Sequence, residues 1–221
     1  MGTGSFSQSY TGEIAILIPA YNEEERIEKT INAAKNLGEV YVADDASTDK
    51  TKELAEFAEA TVISAPYNMG KGGVLNFALP KTQGDIILLL DADLEESCQE
   101  GAKIIRAVFE GADLAVGLFR SHGGFGLVRR IASFLLYLQT GHYYRAPLSG
   151  QRAARKEVWQ QLTPFASGFS IEVAMLKKAN HLGLKVVEVP VDMQDRSYGR
   201  GVRGMKHRCS QLLAVIRGLR G

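Results

Sequence analysis

Ile86-Ile87-Leu88-Leu89-Leu90-Asp91-Ala92-Asp93-Leu94-Glu95 is the stretch whose reading decides the fold. Its five opening residues are apolar without alternation. That is the pattern of a short strand buried on both faces, as in a parallel sheet covered by helices. The run then stops at two carboxylates one residue apart. In open parallel sheets, ligands bind outside the carboxyl ends of the strands. If the chain turns there, Asp91 and Asp93 both face a divalent cation, and Glu95 adds a third ligand. Carboxylates together with phosphate oxygens are the usual ligands of Mg²⁺ or Mn²⁺. The plainer alternative is an acidic turn in which Glu95 and Glu96 stabilise a helix N-terminus.

Outward from this stretch, the same alternation recurs. Residues 13–19 read as a buried strand, and 23–37 carry Ile27, Ile31 and Ala34 at helical spacing before Gly38. Residues 40–43 are a second strand ending in Asp44-Asp45. Ser47 or Thr48 then caps a helix running through residue 60. Residues 61–64 give a third strand and 71–79 a helix ended by Pro80. Downstream, 98–110 read as a helix, 113–116 as a strand and 127–140 as an apolar helix after a glycine-containing loop. Strands alternating with helices predict an α/β fold: a Rossmann-like, mostly parallel central sheet with helices on both faces. Three strands end in polar motifs, at Pro19-Ala20-Tyr21-Asn22-Glu23, Asp44-Asp45 and Asp91-Ala92-Asp93. One shared rim would gather them.

The chain has 221 residues, 45% of them hydrophobic, enough for one well-buried domain spanning 13–221. Residues 1–12, rich in Gly and Ser and without an apolar core, read as a flexible leader. A net charge of +1 argues against a protein that coats nucleic acid. The arginines nevertheless crowd the second half, from Arg120 onward. Cys98 and Cys209 lack the number and spacing of a disulfide framework or zinc site, so reduced, cytoplasmic thiols are expected. No apolar run reaches the roughly 18–20 residues of a membrane span, so any membrane contact is peripheral. Residues 127–138 and the basic C-terminal segment are the candidates, with core packing an equal alternative.

Other groups fit a site that holds a nucleotide. Asp44 and Asp45 can accept from a base N–H or ribose hydroxyl, or cap a helix. Tyr21 can lie against a base, and Glu23 can accept from base or sugar or cap the following helix. Asn68-Met69-Gly70-Lys71-Gly72 combines close-approach glycines with Lys71, suited to phosphate, although the spacing is not that of a Walker loop. Ser149-Gly150-Gln151-Arg152 and the segment from Arg196 through Arg200 are candidate anion sites. Glu172, at a helix start, is either a base or simply favoured by the helix dipole. The four histidines are scattered and no triad emerges.

Pro19-Ala20-Tyr21-Asn22-Glu23-Glu24, Val42-Ala43-Asp44-Asp45-Ala46-Ser47, Asn68–Gly72 and Leu90–Glu95 together resemble the inverting family 2 glycosyltransferases in order and spacing. Gly117 with Arg120, the Arg129-Arg130 helix, residues 149–158, 168–173 and the Arg196 segment are similar to the dolichyl- and polyprenyl-phosphate mannosyltransferase branch. The resemblance runs from Glu13 to about Arg203 and implies a GT-A fold. It implies that Pro19, Tyr21, Glu23 and Asp45, beside Asp44, hold the nucleoside, and that Asp91, Asp93 and Glu95 hold the metal and diphosphate, with Ala92 between them. Arg120, Arg152 and Arg196 would surround the donor and acceptor phosphates, assisted by Lys71, Ser149 and Arg200. The acceptor would be a lipid phosphate whose oxyanion needs no general base. Two departures stand out. Gly-x-Ser-Lys is replaced by Gly199-Arg200-Gly201-Val202-Arg203, and Gly-Phe-Arg reads Gly150-Gln151-Arg152. The competing readings are the same fold with a soluble hydroxyl acceptor and Glu172 as base, a nucleotidyltransferase, and a non-catalytic sugar-nucleotide binder.

Overall fold

Strand β1 (Ile14–Ala20) sends Ala15 and Leu17 to one face of the sheet and Ile16, Ile18 and Ala20 to the other, and both sets are buried. Strand β4 (Ile86–Leu89) repeats the arrangement, with Ile87 and Leu89 on one side and Ile86 and Leu88 on the other. Burial on both faces is why these strands read as continuous apolar runs; each fully buried Ile or Leu contributes about 1.5–3 kcal/mol. The computed structural model describes residues 12–119, 126–165 and 171–193.

The remaining elements are α1 (Ile27–Ala34), β2 (Glu39–Asp44), α2 (Thr51–Phe57), β3 (Thr61–Ser64), α3 (Gly70–Ala78), α4 (Gly101–Phe109), β5 (Leu114–Phe119), α5 (Gly126–Thr140), β6 (Arg152–Arg155), α6 (Lys156–Leu162), α7 (Ile171–His181) and β7 (Val186–Val191). The sheet order is β3-β2-β1-β4-β6-β5-β7. Buried residues of α1, α2 and α4 cover one face. Those of α3, α5, α6 and α7 cover the other. This is the expected α/β architecture, with one qualification. Strand β6 is antiparallel to both of its neighbours, β4 and β5, while the other pairs are parallel.

The antiparallel strand matters for the site. Arg152, its first residue, is in register with Leu89, the last of β4. Residues 149–151 therefore arrive at the rim where the parallel strands end. Local boundaries also differ from expectation. The first helix starts at Ile27 because residues 23–26 form a turn, with the amides of Arg26 and Ile27 both donating to the Glu23 carbonyl. The acidic stretch Glu95–Glu100 winds as a 3₁₀ helix before α4 begins at Gly101. Among the described residues, no helix is long and apolar enough to cross a membrane.

Candidate functional site

The carboxyl ends of β1, β2 and β4 lie side by side. Ala20 is in register with Asp44, the Asp45 amide donates to the Ala20 carbonyl (2.9 Å) and the Leu90 amide donates to the Leu17 carbonyl (3.2 Å). The three polar motifs thus share one rim. Just beyond each strand, a non-glycine residue adopts a left-handed backbone: Asn22 (φ 55°), Ala46 (φ 59°) and Glu95 (φ 47°). Each such residue costs about 1–2 kcal/mol, and local hydrogen bonds hold the turns. Ser47 Oγ accepts from the Asn22 amide (3.1 Å), Asn22 Oδ1 accepts from the Thr48 amide (2.9 Å) and Asp44 Oδ1 accepts from the Ser47 amide (3.1 Å). Thr30 of α1 secures the third turn, accepting from the Glu95 amide (2.9 Å) and donating to the Ala92 carbonyl (2.8 Å).

Asp44 and Asp45 are both buried. The Asp45 carboxylate accepts from the backbone amides of Met69 (2.6 Å) and Gly70 (2.8 Å) at the start of α3. Capping is therefore realised, but across the sheet on α3 rather than on the following helix. It draws the Asn68–Gly72 loop onto the rim. Pro19 is half-buried and Tyr21, 46% exposed, stands at the mouth. Glu23 is half-buried, and its amide donates to Thr51 Oγ1 (2.7 Å).

At the centre is an ionic cluster. Lys71 Nζ donates to Asp91 Oδ1 (2.7 Å) and to Glu172 Oε1 (3.2 Å), while Gln151 Nε2 donates to Asp91 Oδ2 (2.6 Å). Burial alone would raise the Asp91 pKa, but the Lys71 ammonium and the Gln151 amide outweigh it and hold the carboxyl below its usual range. Burial would likewise discharge Lys71; the two carboxylates instead hold it firmly protonated. Gly150 lies directly over this cluster. A Cβ there would sit 2.7 Å from Lys71 Nζ and 2.8 Å and 2.9 Å from the Asp91 carboxylate oxygens.

The segment carrying Gly150 is gripped from both ends. Arg152 Nε donates to the Ser149 carbonyl (2.9 Å) and its second terminal nitrogen to the Pro147 carbonyl (3.4 Å). Glu188 on β7 accepts from the amides of Arg145 (3.0 Å) and Ala146 (2.5 Å). Arg152 is fully buried and burial lowers its pKa to about 10, opposed by the charges of Glu172, Glu188 and Asp91. The guanidinium expected among the phosphates is here packed inside the fold. Arg152 binds backbone carbonyls beneath the rim, its side chain directed from the first position of β6 into the core. Ser149 is buried beside it and donates to Gln151 Oε1 (3.3 Å).

The expected metal carboxylates Asp91, Asp93 and Glu95 are spread around the turn after β4. Among the described residues, no group of three His, Cys, Asp or Glu side chains is gathered to hold a metal ion. The Glu95 side chain, carried round by the left-handed turn, lies 3.9 Å from Arg26 Nε. Asp93 remains half-buried on the turn after β4. One or two carboxylates completed by substrate phosphate oxygens is an ordinary Mg²⁺ arrangement, and this rim fits that mode rather than an all-protein cage. Arg120, Arg196 and Arg200 lie outside the described residues, as do Arg203 and Cys209. Three contributors were not singled out from sequence: Gln151 as a partner of Asp91, Glu188 and Thr30. Only Gln151 carried a signal, its departure from the Gly-Phe-Arg pattern.

Residues 15–177 match the protein family described as Glycosyl transferase family 2. MJ1222 of Methanocaldococcus jannaschii is 31% identical over 212 residues, covering 86% of this chain and 85% of that protein. A dolichol-phosphate mannosyltransferase of Pyrococcus furiosus is 30% identical over 206 residues, covering 85% of this chain but only 58% of the relative's length. Among solved structures, glucosyl-3-phosphoglycerate synthase from Mycobacterium tuberculosis, in complex with Mn²⁺, UDP and glucosyl-3-phosphoglycerate, superposes with a TM-score of 0.78 at 28% identity, covering 95% of this chain and 80% of that one. The nucleotidyltransferase and non-catalytic alternatives give way before these matches. A family match over most of the chain, on a sheet whose strand-end rim carries the matching motifs, places this protein in glycosyl transferase family 2, as a glycosyltransferase of GT-A fold.

Proposed function

We propose that this enzyme is a single domain over 13–221 that moves a hexose from a UDP- or GDP-sugar to a polyprenyl or dolichyl phosphate, with inversion at the anomeric carbon and dependence on Mg²⁺ or Mn²⁺. The acceptor assignment is carried by α5. Leu127, Phe134 and Leu138 fall on one face of this helix and are 72%, 56% and 63% exposed, with Arg130 exposed on the same helix and no acid within it. An apolar face with basic neighbours suits the surface of an anionic membrane and supports a peripheral position on the cytoplasmic face.

In the donor site, Tyr21 offers a ring to the base. Asp44 is oriented by the Ser47 amide and Asp45 by the amides of Met69 and Gly70, with lone pairs to spare for base or ribose. Pro19 and Glu23 shape the same corner, and Ala92 holds the turn. Asp93, with Asp91 adjacent, would hold the metal through the donor's diphosphate. When bound, the ion neutralises charge developing on the nucleoside diphosphate leaving group. Lys71 adds a fixed cation beside that diphosphate. Arg120, Arg196 and Arg200 are assigned to the acceptor phosphate, which attacks in line as a ready-made oxyanion. Positioning two anions against each other supplies most of the catalysis.

A soluble acceptor is the second reading, favoured by the structural neighbour solved with phosphoglyceric acid. Glu172 suits it poorly as a base, since Lys71 occupies Oε1 and the side chain is only 13% exposed. The test supplies purified protein with labelled UDP- and GDP-hexoses, Mn²⁺, and either undecaprenyl phosphate in detergent or 3-phosphoglycerate. Lipid-extractable product is expected, abolished by EDTA and reduced about 10²-fold or more by Asp93→Asn. Product on 3-phosphoglycerate alone overturns the lipid assignment.

A further inference from the structure

Asp91 stands on a turn, yet both of its carboxylate oxygens are engaged from different directions. Lys71 holds Oδ1 (2.7 Å) and Gln151 holds Oδ2 (2.6 Å). The second partner is unusually well fixed. Gln151 is 1% exposed, its carbonyl accepts from the Gly117 amide on β5 (2.9 Å), and its side-chain Oε1 accepts from Ser149 Oγ (3.3 Å). An ionised carboxylate only accepts, so the amide must present its NH₂ to Asp91 and its oxygen to Ser149. Gly117 leaves the room this needs, since a Cβ there would come within 3.3 Å of Gln151 Cβ. The backbone on either side is held by the Arg152 and Glu188 grip. A side chain with one rotamer and one amide orientation is a fixed donor aimed at a functional carboxylate.

We infer that Gln151 is a positioning residue, acting through Asp91: with Lys71 it fixes the direction of the carboxylate that faces the donor. A neutral amide does this without adding charge. Lys71 alone would leave Oδ2 free to rotate or to capture a cation away from the diphosphate. A purely structural Gln151 would support the rim without regard to what stands at 91, and that difference is measurable.

The inference rests on the donor-site reading, and the test separates the two. UDP and GDP are each titrated with Mn²⁺ into the wild type by calorimetry, and the tighter binder is carried forward to Gln151→Leu, Asp91→Asn and the double variant. Gln151→Met, which keeps the side-chain length, is read alongside in case Leu unsettles the fold. Loss of one charge-assisted hydrogen bond should weaken binding about tenfold in the single Gln151 variants, with Tm within about 3 °C of wild type. In the Asp91→Asn background the same change should alter Kd less than about twofold, because both substitutions act on one carboxylate. Wild-type affinity in Gln151→Leu and Gln151→Met, or an equal loss in both backgrounds, overturns the inference while leaving the donor site intact. A wild type that binds neither nucleotide overturns the donor-site reading, and this inference with it.

Discussion

Gly150→Ala probes the centre of the site with one methyl group. The backbone at Gly150 is not left-handed, so alanine meets no intrinsic strain, and any effect comes from what its Cβ touches. It would lie 2.7 Å from Lys71 Nζ and under 3 Å from both Asp91 oxygens, roughly 0.5–0.8 Å inside ordinary contact. The lysine end can swing away. Asp91 is short and tied to Gln151, so it moves less freely, and the contact that gives way is the 2.7 Å Lys71–Asp91 pair. Stability should hardly register this. Both partners are about a third exposed, so the pair contributes roughly 1 kcal/mol or less, and replacing glycine returns about 0.4–1 kcal/mol by narrowing the unfolded ensemble. Tm should stay within about 3 °C. Catalysis should register it strongly, since a 1 Å displacement of a catalytic group costs on the order of 10²-fold; a loss of about 10- to 100-fold in kcat/KM for the donor is expected. Initial rates at saturating Mn²⁺ and a thermal melt on the same preparation decide the matter. A variant that turns over within twofold of wild type refutes the packing argued for this site.

The grip on residues 145–150 gives a contrasting signature. Arg152→Met and Glu188→Gln should each destabilise the fold by about 2–3 kcal/mol, lowering Tm by about 4–10 °C, with donor affinity falling as well; calorimetry and melts report both. Cys98 is buried against the Thr30 carbonyl, and burial pushes its thiol pKa up to about 12, from 9.0. The native thiol stays protonated while the unfolded one ionises, so this contribution is complete below about pH 9 and shrinks as pH rises toward 12; relative to Cys98→Ala, wild type should lose about 2 kcal/mol of unfolding free energy between pH 8 and 10.5. Phe134→Ser with Leu138→Ser should leave Tm within about 2 °C, since both side chains are already exposed, yet reduce sedimentation with anionic vesicles about tenfold or more.

The sheet was readable in outline because burial on both faces leaves a mark that composition can show. Ile14–Ala20 and Ile86–Leu89 are apolar at every exposed or hidden register, and 61–64 matched its strand residue for residue. Strand β6 left no such mark. Arg-Ala-Ala-Arg has neither β-branched nor aromatic residues, and its two alanines are small because they are pressed between opposite faces of a crowded sheet centre. Its direction depends on pairing with strands more than thirty residues away, which no local pattern encodes.

The site was legible at the level of which residues meet, and less so at the level of what each does. Strand ends locate carboxylates well, because the rim is a topological consequence of parallel strands. Side-chain roles depend on where the chain goes next. Asp45 caps α3 because β3 returns the chain to the adjoining position, and Glu95 faces Arg26 because its own backbone is left-handed. Arg152 shows the same point most sharply. Read from sequence as one more cation in a basic half, it belongs to an antiparallel strand whose first side chain points inward, so its charge reaches Asp91 through the interior while its donors hold the loop above. The departure from Gly-Phe-Arg at Gln151 then acquires a physical sense. Between a buried arginine and a glycine with no room for a Cβ, residue 151 is the side chain of this segment that reaches the Asp91 carboxylate opposite Lys71, and an amide is a neutral group that can donate to it.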